Sequence, residues 1–208
     1  MLKLYYIAGA CSFVPHVALQ WSGLEYTAEE IGRDKVKSTE YLALNPQGQV
    51  PLLTDGNWTL SQNIAIIDYI NDLAPNKGIY GATANNDPKA RAKARQWLAF
   101  ANSDLHSGFK PIFGAARMID GEEVQNKLQT NACAAVAKMF ASVDTVLAQQ
   151  DYLTGNSISI ADVYVYIEMR WAQRCKIDLS QYHNLNAFYQ RVEADAGVTA
   201  VLKAQRLI

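Results

Sequence analysis

Leu2-Lys3-Leu4-Tyr5-Tyr6-Ile7-Ala8-Gly9-Ala10-Cys11-Ser12-Phe13-Val14-Pro15-His16-Val17-Ala18-Leu19-Gln20-Trp21 decides how the chain begins to fold. Leu2 to Ile7 has the β-branched and aromatic weight of a strand, and Gly9 breaks it. Val14, Val17, Ala18 and Trp21 then recur at i, i+3, i+4 and i+7, the spacing of one helix face. The order is strand, turn, helix, with Cys11 at the turn. Pro15 suits the first helical turn, where amides have no intrahelical partner. The free N–H groups and positive dipole end beside Cys11 favour loss of its proton. Two readings stand side by side: a thiolate, of the protein or of a bound ligand, held at a helix N-terminus, or a small buried residue filling a tight turn.

The bulk composition narrows the function classes. The 208 residues are half hydrophobic and 19% charged, with a net charge of −1. There is no basic run to hold nucleic acid, and no apolar run reaches the ~18 residues of a membrane span. The apolar stretch after Lys3 is too short for a secretory leader, so the expected location is the cytoplasm. Cys11, Cys133 and Cys175 are odd in number and far apart, which fits neither a disulfide framework nor a zinc cluster, and no metal is expected.

Working outward, Gly23 stops the first helix and Tyr26 to Ile31 reads as a second strand, parallel to the first because a helix connects them. Arg33 to Leu44 reads as a loop with a helical turn. Leu52–Thr54 and Trp58–Leu60 form a hairpin about Asp55-Gly56. Pro51 has no N–H and suits the opening of a strand. A trans Val50-Pro51 bond is the ordinary case, whereas a cis bond would turn the Val50 backbone outward, where an extended peptide ligand can pair with it. A helix begins at Ser61 and ends before Pro75. Pro75 to Pro88 reads as a linker, and everything beyond it is helical: one long segment from Pro88 through Phe109, a second over Glu122–Gln150, a third opened by Ser159 with Asp162 as its cap, then Leu185–Val192 and Val198–Leu207. The expected domains are 1–75, a linker at 76–88, and an all-helical 89–208. His16 reads as a polar edge residue and His183 as a loop residue. Phe109, Phe113, Tyr166 and Trp171 are candidates for an apolar pocket or for core.

Five short motifs stand in register: Tyr6-Ile7-Ala8-Gly9-Ala10-Cys11-Ser12, Asn45-Pro46-Gln47-Gly48-Gln49-Val50-Pro51, Leu60-Ser61-Gln62, Leu105-His106-Ser107-Gly108-Phe109 and Ile160-Ala161-Asp162-Val163-Tyr164. With them the chain resembles the cytosolic glutathione transferases over its whole length, most closely the bacterial beta class. The resemblance implies an α/β thioredoxin-like N-terminal domain (βαβ-ββα) with a cis Val50-Pro51, an all-α C-terminal domain, and a cytoplasmic homodimer that detoxifies electrophiles.

The same resemblance assigns roles. It places Cys11 and His106 beside the sulfur of glutathione, the expected co-substrate, and matches Tyr6, counted with them as catalytic, to a tyrosine at the end of the first strand. Val50, flanked by Gln49 and Pro51, pairs with the cysteinyl unit, and Lys35, or failing it Lys37, faces the glycyl carboxylate. Gln62 and Asn63 stand where the family has Glu followed by Ser or Gly to hold the γ-glutamyl group, Asp104 keeps an acid, and Ala99 and Ser107 replace Asn and Lys. A neutral Gln62 makes a contact about half as strong as a charged one. The implied reaction is transfer of the glutathione thiolate to a small apolar electrophile. The alternatives are a monothiol oxidoreductase working through Cys11, since Cys11-Ser12-Phe13-Val14 lacks a second cysteine, and a non-catalytic binding protein of the same fold.

Overall fold

The computed structural model describes every residue except Asn85, which falls within the expected linker and lies outside the described residues. The first seven elements are β1 Leu2–Tyr6, α1 Phe13–Ser22, β2 Tyr26–Glu30, α2 Thr39–Leu44, β3 Leu52–Asp55, β4 Trp58–Ser61 and α3 Asn63–Leu73. The sheet order is β2-β1-β3-β4. β1 runs parallel to β2, with Leu4 opposite Ala28, and antiparallel to β3, with Leu4 opposite Leu53. This is the thioredoxin-like βαβ-ββα arrangement. Alternation along β1 sends Leu2 and Leu4 into the main core with α1 and α3. Tyr5 goes to the other face with Ile31, Tyr41 and Leu52. α2 supplies the helical turn expected within Arg33 to Leu44, because the Ser38 hydroxyl accepts from the Tyr41 N–H and caps it.

The second half is helical: α4 Pro88–Ala99, α5 His106–Gly114, α6 Glu122–Leu147, α7 Ile160–Arg174, α8 His183–Glu193 and α9 Ala196–Ala204. His183 therefore opens a helix and is not a loop residue. The helical segment expected from Pro88 through Phe109 is continuous but widens at Phe100–Leu105, where the His106 N–H bonds to the Ala101 carbonyl, five residues back.

Twelve of the 15 residues of α7 are buried, so this helix is the axis on which the others pack. Its start is fixed by Asp162, whose carboxylate accepts from the Ser159 N–H (2.7 Å), the Ser159 hydroxyl (2.6 Å) and the Leu153 N–H (2.8 Å). Among the described residues no helix is long and apolar enough to cross a membrane.

Candidate active site

The turn that carries Cys11 is held from both sides. The Ser12 hydroxyl bonds the Ile7 N–H (3.1 Å) and donates to the Ile7 carbonyl (3.2 Å), closing the loop on itself. Gly9, at φ +68, donates its N–H to Gln205 (3.1 Å) and accepts from the Trp171 indole (2.7 Å), so residues of the helical half grip the turn. A side chain at that φ would be strained, which accounts for glycine there.

Opposite lies the segment before β3. The Gln49 carbonyl accepts from the Tyr41 hydroxyl and from the Asn45 side chain, both at 2.8 Å. Gly48 sits at φ +59 where an added Cβ would lie 2.6 Å from the Val36 carbonyl. Thus anchored, the segment enters β3 through a cis Val50-Pro51 bond, as the family likeness implied. The Cys11 thiol donates to the Val50 carbonyl at 3.7 Å.

Two adjoining cavities open here. The larger, 830 Å³, is lined by Cys11, Lys37, Gln49, Val50, Pro51, Gln62, Asn63, Asn102 and His106 among others. The smaller, 550 Å³, is lined by Cys11, His106, Phe113, Trp171 and three arginines. Cys11 and His106 belong to both, together with Ala10, Arg33 and Arg117, and mark the junction.

Behind the junction Tyr164, on α7, organises the polar groups. Its hydroxyl accepts from the Asn63 amide (3.1 Å), donates to Asn102 (3.1 Å) and lies 2.8 Å from His106 Nδ1. One hydroxyl has one proton, and Asn102 takes it, so His106 is assigned the Nδ1–H tautomer and Nε2 is left as an acceptor. Burial, and then the charge of Lys110, lower His106 to about 4, so the ring is neutral at pH 7.

Cys11 behaves differently from the sequence expectation. Burial pushes its thiol up to about 11, and Asn63 and the neighbouring amides only partly offset it. The amides of the helix start are present, but desolvation of the anion outweighs them. At neutral pH Cys11 is a thiol.

The expected residues thus divide. Cys11, His106, Gln49, Val50, Pro51, Gln62 and Asn63 come together. Tyr6 does not, because at the end of β1 it is buried with its ring 5.2 Å from that of His16. Asp104 is exposed and outside both linings. Lys37, not Lys35, reaches the larger cavity, with Nζ 3.0 Å from the Gln47 carbonyl. Phe113 and Trp171 line the smaller cavity, whereas Phe109 and Tyr166 are core. His16 is buried, not at an edge, and pairs with Gln205 at 3.0 Å. Among the described residues no three His, Cys, Asp or Glu side chains are grouped to hold a metal.

Some site residues carried no usable sequence signal. Asn102 is turned toward Tyr164 by the wide turn, which the 3.6-residue period hides. Tyr164 was visible as a motif residue without a role. Glu168 had a signal of its own, since Tyr164, Val165, Trp171 and Ala172, its neighbours along the helix, are all apolar or aromatic.

Fold and site together define a thiol-handling protein of thioredoxin-like design whose cleft is completed by a helical second domain. Residues 1–72 match the model for the glutathione S-transferase N-terminal domain and residues 104–196 that for its C-terminal domain. The chain belongs to the glutathione S-transferase family. It is 38% identical over 206 residues to glutathione S-transferase GST-4.5 of Xanthomonas campestris, covering 99% of this chain and 100% of that one. A solved glutathione S-transferase from Xylella fastidiosa superposes with a TM-score of 0.93 at 39% identity, covering 100% of both chains. A bacterial beta class enzyme from Sphingomonas chungbukensis gives 0.85 at 30% identity, over 99% of this chain and 100% of that one. A sphingomonad glutathione S-transferase complexed with glutathione gives 0.84 at 33%, again over 99% and 100%.

Proposed function

We propose that the protein transfers the thiolate of glutathione to an electrophilic carbon, with glutathione in the larger cavity and the electrophile in the smaller. The observation that carries this reading is the meeting of the two cavities at Cys11 and His106. Val50 pairs its backbone with the cysteinyl unit in the manner of an added strand. Lys37 faces the glycyl carboxylate. The γ-glutamyl carboxylate lies at the start of α3, whose first amides no side chain caps. Gln62, a non-glycine residue at φ +77, turns the chain into that helix and offers its amide to the ammonium.

The chemistry divides between two groups. His106 Nε2 accepts the thiol proton as the sulfur attacks, and the imidazolium is favoured only while the sulfur anion lies beside it. Cys11, itself a thiol whose S–H goes to the Val50 carbonyl, adds no charge near that anion. The new C–S bond displaces a leaving group with its electron pair, and the proton passes from His106 to water. With Cys11 held as a thiol, redox turnover through its thiolate is not favoured.

Calorimetric titration with glutathione and turnover of 1-chloro-2,4-dinitrobenzene test the proposal. Heat of binding and conjugation are expected, and the lack of both would overturn it. The same reading takes the protein as a cytoplasmic homodimer, for which sedimentation at twice the 23.0 kDa chain mass is the expected result.

A further inference from the structure

The smaller cavity has more positive charge than thiol transfer needs. Arg33 follows β2, Arg117 follows α5 and Arg174 ends α7, and all three line this chamber, Arg174 this one alone and Arg33 and Arg117 at the boundary it shares with the larger cavity. Among the described residues no Asp or Glu lines either cavity. Among the described residues none of the three guanidinium groups makes an ion pair, whereas Arg95, Arg170 and Arg191 each meet an acid. An unpaired arginine on open surface is ordinary, and Arg91 is one. Three from separate elements around one chamber repel each other unless an anion comes between them.

The remaining wall selects the body of that anion. Phe113 and Trp171 meet edge to face at 5.9 Å. Because the Trp171 indole N–H is engaged by the Gly9 carbonyl, the ring offers the chamber an apolar face. A flat conjugated skeleton fits such a wall. All three arginines are exposed, where a single ion pair contributes little. Recognition therefore needs the two-pronged pairing of guanidinium with carboxylate, from more than one arginine.

We infer that the electrophile is an anionic one, a conjugated or aromatic acid whose carboxylate is held by Arg33, Arg117 and Arg174 while its flat body lies on Phe113 and Trp171. This departs from the expectation of a small apolar electrophile and rests on the glutathione reading above. For a halogenated nitrobenzoate, the glutathione sulfur forms a bond to the ring carbon that bears chlorine, chloride departs with its electron pair, and the thiol proton goes to His106 and on to water.

The test compares 4-chloro-3-nitrobenzoate with its methyl ester, each kcat/KM divided by the rate constant of the uncatalysed reaction with glutathione. On that scale the acid should exceed the ester by about tenfold or more, given the strength of charge-assisted pairs. Added salt should shrink the preference, and the double replacement Arg117→Ala with Arg174→Ala should remove it. Equal values for acid and ester, or a preference that survives the double replacement, would overturn the inference. Calorimetry with 2-naphthoate and 2-naphthamide reads the same pocket without any transfer step. The acid should bind and the amide should not, and equal binding would also overturn the inference. Naphthoate binding by a protein that neither binds nor uses glutathione would keep the anion pocket and remove the transferase reading beneath it.

Discussion

Glu168 is fully buried, and neither carboxylate oxygen has a hydrogen-bond partner in the protein. Burial raises its pKa well above the usual carboxylate value. A carboxyl raised on folding loses stability for the fold as pH climbs from the unfolded value of 4.5 toward the folded one. Relative to wild type, Glu168→Gln should therefore gain about 1.4 kcal/mol per pH unit between the unfolded and folded values and nothing further outside that window, read by urea denaturation across pH. A flat difference would mean that the buried group stays ionised or meets a partner.

The two junction residues separate by role. His106→Asn should lower kcat/KM on the order of 100-fold at pH 7 and much less at pH 9.5, where glutathione ionises unaided. Cys11→Ala, which removes a thiol and not a base, should keep conjugation within about tenfold by the same reasoning. If the cysteine variant loses as much activity as the histidine variant, Cys11 takes part directly in the reaction.

At the scale of elements, the N-terminus of α7 is the joint to test. Asp162→Ala would leave the Ser159 and Leu153 donors buried without an acceptor, and chemical denaturation should register a loss of at least about 2 kcal/mol. This joint was legible in the chain itself, because a serine followed by an acid three residues on, before an apolar run, is a local signal. The strand-turn-helix opening, the hairpin at Asp55-Gly56 and the proline before β3 were legible for the same reason, as each is set by neighbours in sequence. The wide turn between α4 and α5 was not, because a break in helical register that places Asn102 and His106 has no compositional mark. Tyr6 and Lys35 misled for a related reason. Whether a strand-end ring faces the cleft or α1, and which of two lysines a short turn presents, depend on partners that arrive from elsewhere in the chain.

At the scale of the whole molecule, the two halves share buried histidine chemistry. His16, on α1, is 3% exposed and lowered to about 4 by burial. A histidine with a lowered folded pKa contributes stability above its unfolded value near 6.5, and that contribution is lost as pH falls toward 4. For His16 it amounts to on the order of 3 kcal/mol. The stability advantage of wild type over His16→Gln should shrink across that window and be constant above it, in thermal or urea melts at stepped pH. A constant difference at every pH would place the role of His16 in packing alone. The arginine chamber is also a whole-molecule property, because its charges come from positions 33, 117 and 174. That distance is why composition, with its near-zero net charge, gave no hint of it.

The side chain of Gln205 reaches both the Gly9 N–H and the His16 ring. A ribosome therefore produces the cysteine loop nearly two hundred codons before its clasp. Until Gln205 has left the exit tunnel, a nascent chain has the sheet-forming half in hand but an unlatched reaction centre.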